Sequence, residues 1–390
     1  MILAERMSHL GTETAFEVLA KANALAAQGR SIINLGIGQP DFPTPENVVE
    51  AGRKALADGH HGYTPANGIP QLRGAVAADI HRRYGHEVDP DLIVCVPGGK
   101  VTMAFAMLIF GEPGAEILYP DPGFPIYRSM IEFSGAKAVP IKLHESAGFA
   151  FSADEVLGQI NERTRLIILN SPANPTGGVV PRSEIDALVA GLEKHPDVAI
   201  MSDEIYSCMT YEGLDHVTLL DYPSIRDRLI VLDGWSKTYA MTGWRLGWGL
   251  WPSKLAPLAA KLAVNTHSCV NAATQYAGIE ALEGPQDAVA SMVEAFDRRR
   301  SFIVQRLNQL PGVSCVTPLG AFYAFPNISG TGLSSGALQN RLLEEAGVAA
   351  IAGTSFGILG EGYLRFSYAN SLENIEEAMD RIGAWLTDNA

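Results

Sequence analysis

Three continuous apolar runs punctuate the middle of the chain: LIIL at 166–169, VAIM at 198–201 and LIVL at 229–232. Each is short and bounded by polar or turn residues, as expected of a strand buried on both faces. Residues 184–192 show helical periodicity between two of them, so the repeat predicts βαβ units and a mostly parallel sheet covered by helices. Runs at 92–96 and 117–119 read as further strands. Polar groups follow the three central runs: Asn170 and Asn174, then Asp203, then Lys237. Right-handed crossovers between parallel strands bring such ends to one edge of the sheet, so an amide, a carboxylate and an amine should converge there.

Around this centre the pattern is helical. Residues 16–29 read as a helix stopped by Gly29, with a short strand at 32–35. Thr44 and Pro45 fit the N-cap and first position of a helix burying Val48, Ala51, Ala55 and Leu56 and ending at Gly59. The next helix carries Ile69, Leu72, Val76 and Ile80 on one face, and the intervening GYTPANG is an exposed turn that displays Tyr63. Residues 101–110 are apolar all round, which predicts a buried helix. After Gly284 the sheet pattern gives way to helices at 289–310 and 372–386 flanking short strands at 322–325 and 363–367. The expected architecture is α/β: a large domain over 45–284 and a smaller α+β domain formed by 1–44 and 285–390.

Bulk properties narrow the partners. A chain of 390 residues that is 47% hydrophobic has ample material for packed cores. Its net charge of −14 repels nucleic acid phosphates and anionic membranes, so neither is an expected partner. No stretch resembles a signal peptide, and the run at 101–110 is too short to cross a bilayer. The four cysteines are scattered without a CxxC pair, which indicates neither a metal site nor a disulfide framework. A cytoplasmic protein is expected.

The chemistry centres on SKTYAMTGWRLG, residues 236–247, where Lys237 and Arg245 stand in a nearly uncharged stretch. A lysine among Trp235, Tyr239 and Met241 is poorly solvated, which lowers its pKa and frees the amine to attack a carbonyl. Arg245 keeps its charge and needs an anion, for which a bidentate phosphate is suited. A reactive lysine beside a phosphate site points to pyridoxal 5'-phosphate, the alternative being two solvated loop charges. Other segments are individually ambiguous. GIGQPDFP at 36–43 allows close backbone approach to a ligand or is a plain connection. Gly98-Gly99-Lys100 before a helix suits a phosphate or is a simple turn. Phe124 in PDPGFP could stack on a planar cofactor or pack in the core. Asp203 in SDEIY needs a cation or caps a helix with Ser202, in which case Tyr206 lies one turn on. Arg365 in YLRFS is either a carboxylate clamp or a solvated strand residue.

Taken together and in order, from GIGQPDFPTP to YLRFSYA, these stretches resemble the class I aminotransferases among the fold-type-I pyridoxal-phosphate enzymes. The resemblance implies a Schiff base on Lys237, which also shuttles the proton, and Asp203 paired with the pyridine nitrogen. It implies that Asn174 and Tyr206 hydrogen-bond the phenolic oxygen, that Phe124 stacks on the ring, and that Gly99, Lys100, Ser236 and Arg245 lie on the phosphate side. Tyr63 would reach the neighbouring subunit's cofactor, which implies a homodimer with shared active sites. Arg365, with Asn174 and Gly38, would hold the substrate carboxylate. The expected activity is amino transfer between an L-amino acid and a 2-oxo acid, with 2-oxoglutarate in one half-reaction. A β-lyase of the same fold acting on sulfur amino acids is the alternative. A ligand-sensing part of a transcription regulator fits poorly with the acidic charge. Two departures bear on substrate. Gly234 stands where a serine is common, removing one hydroxyl from the phosphate side. Glu13-Thr14-Ala15-Phe16 replaces the Ser-Ala-Thr stretch that works with a lysine like Lys100 in an aspartate-specific branch, so Phe16 points instead to an apolar or aromatic side chain.

Overall fold

The computed structural model describes residues 1–389. A short strand, Ile33–Asn34 (β1), precedes the strands of the central sheet: Ile93–Val96 (β2), Glu116–Asp121 (β3), Lys137–Lys142 (β4), Thr164–Asn170 (β5), Ala199–Asp203 (β6), Leu229–Gly234 (β7) and Gly247–Leu250 (β8). Their spatial order is β2-β8-β7-β6-β5-β3-β4, with β8 the only antiparallel member. Register levels Asn170 with Asp203 and Asp203 with Leu232, so the polar ends of β5 and β6 meet beside the strand that leads to Lys237.

The continuous apolar runs exist because both faces of the sheet are covered. Ile168, Met201, Ile230 and Leu232 join one core with Met103, Phe105 and Met107 of the helix Lys100–Phe110. Ile167, Leu169, Ile200 and Val231 join another with Leu72, Val76 and Ile80 of the helix Pro70–Tyr84 and Leu188 of the helix Arg182–Leu192. Successive side chains on a strand point to opposite faces, so an apolar residue is needed at every position.

A third core lies away from the sheet. Phe296 and Ile303 of the helix Asp287–Leu307 pack with Ile375, Met379 and Ile382 of Leu372–Asp388 and with Phe322 and Phe366. Three short strands, Tyr323–Ala324 (β9), Ile351–Ala352 (β11) and Leu364–Ser367 (β12), form an antiparallel sheet here in the order β11-β12-β9. Val348–Ala349 (β10) pairs in parallel with β1, which ties residues near 33 to this carboxyl-terminal part.

Several expectations need correction. No helix follows Asp203: it ends β6, and residues 205–208 form a turn carrying Tyr206, the Asp203 carboxylate accepting from the Tyr127 hydroxyl through one oxygen and from the Ile205 N–H of that turn through the other. Thr44 does not cap the helix Glu46–Ala57; its hydroxyl donates to the Ala240 carbonyl at 2.8 Å and so anchors the Lys237 loop. Leu56 and Leu108, assigned to buried faces, are both exposed, the latter on a helix only one side of which meets the sheet. Burial is the sequence's default for free thiols, yet Cys208 and Cys269 are only partly buried, whereas Cys95 and Cys315 are buried.

Two strands of the central sheet escaped the apolar pattern. β4 (KAVPIK) is an edge strand with mixed burial. β8 (GWGL) reads poorly because its glycines are steric: a Cβ on Gly247 would lie 2.5 Å from the Gly99 nitrogen and 2.8 Å from the Gly98 carbonyl carbon. That closeness seats the Gly98-Gly99 turn against the sheet. Among the described residues no helix is long and apolar enough to cross a membrane.

Candidate active site

A cavity of about 480 Å³ opens where β5, β6 and β7 end, between the sheet and the third core. Lys237, Asp203, Asn174, Tyr206, Ser236 and Arg245 line it, as do Gly38, Gly99, Lys100, Phe124 and Arg365. Tyr63 does not line it and is 94% exposed.

Lys237 sits on the single helical turn Trp235–Thr238, which continues from β7. Its Nζ donates to the Gly38 carbonyl at 2.5 Å and lies 5.8 Å from the centre of the Phe322 ring. Burial is the main force lowering its pKa to about 7, with the positive charges of Arg365 and Lys100 adding to it. Near neutral pH a large share of the amine is therefore uncharged and nucleophilic.

Asp203 meets the opposite problem. It is 2% exposed, has no cationic partner, and burial pushes its carboxyl up to about 7. Tyr127 Oη donates to Oδ2 at 2.5 Å and the Ile205 N–H to Oδ1 at 3.3 Å, which partly offset the desolvation. The Asn170 amide donates to the Asp203 carbonyl at 3.0 Å and holds the ends of the two strands together.

The guanidinium of Arg365 enters from β12. It donates to Asn174 Oδ1 at 2.9 Å and to the Gly36 carbonyl at 2.6 Å, and it stands 4.6 Å from both the Tyr323 and Phe356 rings. Its Nε is buried without a partner, and among the described residues no carboxylate forms an ion pair with it. Such an arginine is costly unless an anion arrives. Tyr206 and Tyr323 share a hydrogen bond of 2.8 Å. Gly38 must be glycine, since a Cβ there would lie 2.6 Å from the Tyr323 hydroxyl.

At the other end, Arg245 has φ 55° and turns its guanidinium back over the Gly98-Gly99 turn. Its hydrogen bonds go to carbonyls only, Thr242 at 2.8 Å and Pro97 at 3.4 Å. Gly98 has φ +93°, and a Cβ there would fall 2.0 Å from Arg245 Nη2. The result is a cradle of cation and backbone without a carboxylate, suited to a phosphate. Lys100 takes a different course: its ammonium pairs with Glu13, between the rings of Phe124 at 5.3 Å and Phe16 at 6.0 Å.

Three contributors were not singled out by sequence reasoning: Tyr127, Tyr323 and Glu13 as an ion-pair partner. Tyr127 follows Phe124 by one helical turn, a spacing that could have flagged it. The other two contacts join distant segments and leave no local signal. As a set, the site presents an amine held near neutrality, a buried carboxylate lacking a cation, and two arginines lacking anions. Pyridoxal 5'-phosphate supplies the complement of three of these groups, an aldehyde, a protonated ring nitrogen and a phosphate, and a substrate carboxylate supplies the fourth.

A family model described as aminotransferase class I and II matches residues 30–382. An aspartate aminotransferase of Pyrococcus horikoshii is 40% identical over 361 residues, spanning 92% of this chain and 91% of that protein. An aspartate/prephenate aminotransferase of Cereibacter sphaeroides is 36% identical over 394 residues, spanning 98% of each. Among solved structures, the aspartate aminotransferase of Rhizobium meliloti superimposes with a TM-score of 0.95 at 33% identity, covering 99% of both chains.

Proposed function

We propose a residue-level reading of the reaction from one premise: the chain belongs to the class I and II aminotransferases and transfers amino groups between amino acids and 2-oxo acids on pyridoxal 5'-phosphate. In this reading Lys237 holds the cofactor covalently and, once substrate frees its amine, moves the proton at the substrate Cα. Asp203 faces the ring nitrogen and keeps it protonated. Asn174 and Tyr206 serve the phenolic oxygen, and Phe124 covers the ring. Gly99, Ser236 and Arg245 receive the phosphate, with Lys100 at the start of the adjoining helix. Arg365, Asn174 and Gly38 orient the substrate carboxylate. The cofactor supplies the electron sink, and the chain supplies binding, orientation and one mobile proton.

The observation that carries this reading is the pairing of unmet charges. Lys237 and Asp203 are both driven by burial toward a pKa of about 7 in the same cavity, one as an amine and one as a carboxyl. Groups so perturbed, facing one pocket, cluster at functional sites.

2-Oxoglutarate is the proposed acceptor in one half-reaction. The proposed assembly is a homodimer in which Tyr63 completes the partner's phosphate site. Its support is the free-standing Tyr63 ring, together with the exposed Leu108, Leu258 and Val264 on two helices that pack against each other. We assign residues 45–284 to the large domain and 1–44 with 285–390 to the small one. A cytoplasmic location fits four cysteines that form no disulfide.

The test is spectroscopic. Purified protein is mixed separately with L-glutamate, L-aspartate, L-alanine, L-phenylalanine and L-cystathionine, and the visible cofactor band and the products are followed. Loss of the band, restored by 2-oxoglutarate, supports the reading and ranks the donors. Release of ammonia and pyruvate without a lasting change in the band would point to elimination instead.

A further inference from the structure

An aminotransferase that pairs 2-oxoglutarate with a neutral amino donor must admit chemically different side chains to one pocket, a second carboxylate in one half-reaction and a neutral group in the other. Here the cavity wall formed by Glu13, Thr14 and Phe16 meets Lys100. The Glu13 side chain is 16% exposed and that of Lys100 is 43% exposed, so the pair lies at the mouth and not in the core. The ammonium is flanked by the Phe16 and Phe124 rings. The Thr14 hydroxyl, on the same wall, is buried without a hydrogen-bond partner. Glu13 and Asp203 are the two carboxylates among the lining residues, and Asp203 is committed to Tyr127.

We propose that Glu13 is a specificity-determining residue that acts as an exchangeable counter-anion for Lys100. With a neutral side chain bound, Glu13 keeps Lys100 paired, and the aromatic walls receive the apolar group. When a dicarboxylate enters, its distal carboxylate displaces Glu13 from Lys100, with the Thr14 hydroxyl available as a further donor. Glu13 thereby weakens acidic substrates by competition and protects neutral ones from an unpaired ammonium. A partly exposed ion pair is weak enough to exchange in this way. The inference rests on the reading of Arg365 as the carboxylate clamp, and the experiment separates the two.

Binding of two unreactive probes to the holoenzyme, glutarate and 3-phenylpropanoate, is measured by calorimetry in wild type, Glu13→Gln, Lys100→Met and Arg365→Leu. Glu13→Gln should bind glutarate about tenfold more tightly, a change of about 1.4 kcal/mol, and 3-phenylpropanoate no more tightly. Lys100→Met should bind glutarate at least roughly tenfold more weakly and retain 3-phenylpropanoate, a change of about 1.4 kcal/mol in the opposite direction. Glutarate affinity unchanged in Glu13→Gln, or unchanged in Lys100→Met, overturns the exchange. Arg365→Leu should lose both probes; if it keeps both, the clamp reading fails independently of Glu13. The kcat/KM ratio of L-glutamate to L-phenylalanine should rise in Glu13→Gln through KM, a split that a merely structural role would not produce.

Discussion

Burying an amine as the reaction requires should make the cofactor-free protein less stable, and the Lys237→Met substitution measures by how much. The Lys237 pKa falls from its ordinary 10.5 to about 7 in the folded chain. At pH 7 that difference corresponds to at most about 4 kcal/mol of lost stability, taking about 1.36 kcal/mol per pKa unit. Lys237 is only partly buried and faces a cavity of about 480 Å³, so water reduces the effect, and about 2 kcal/mol is expected. The sign follows from linkage. Between about pH 7 and 10.5 the unfolded chain holds a proton on this lysine that the folded chain has released, so wild-type stability from this group rises with pH across that window. Lys237→Met should therefore be more stable than wild type at pH 7, and its advantage should shrink steadily toward pH 10.

The assay is urea denaturation of cofactor-free wild type and variant at pH 6.5, 7.5, 8.5 and 9.5, followed by tryptophan fluorescence. Methionine brings its own packing change, but that change is independent of pH, so the slope of the difference against pH is the deciding quantity. Parallel pH profiles for the two proteins would refute the argument that burial, rather than local chemistry of the bound cofactor, tunes this amine.

Asp203→Asn makes the complementary case: its carboxyl is raised from 3.8 to about 7, so wild-type stability from this group falls as pH rises from about 4 to 7, and the variant should lack that fall in cofactor-free denaturation curves. The same variant should retain pyridoxal phosphate poorly on dialysis; undiminished retention would remove Asp203 from the ring nitrogen. Gly247→Ala, forcing a Cβ within 2.5 Å of the Gly99 nitrogen, should destabilise the fold by about 1–3 kcal/mol in urea titrations and weaken cofactor retention, and a neutral result would mean the Gly98-Gly99 turn is not held by β8. Tyr63→Phe should leave monomer stability within about 0.5 kcal/mol, as for an exposed side chain, yet release cofactor faster. Equal release rates would argue against its reaching a partner's phosphate.

What was legible in the sequence follows from how local each constraint is. A strand buried on both faces needs an apolar residue at every position, so β5, β6 and β7 announce themselves in four letters each. Asp203 and Lys237 stand out for a related reason, as charges two and five positions beyond runs that must be buried. The groups that answer those charges obey no local rule. Tyr127 reaches Asp203 across 76 positions and Glu13 reaches Lys100 across 87, and in neither case does the neighbourhood of one residue name the other. β8 hides for a different reason: its glycines are set by the closeness of the Gly98-Gly99 backbone, so the sterics that shape the phosphate end remove the apolar pattern that would reveal a strand. Burial is thus read from one stretch at a time, whereas its compensation is read only from the assembled fold. Substrate choice belongs to the second kind. Phe16 alone points to an apolar or aromatic side chain, but with Glu13 set against Lys100 the wall carries a charge that a neutral substrate leaves paired and a dicarboxylate must exchange.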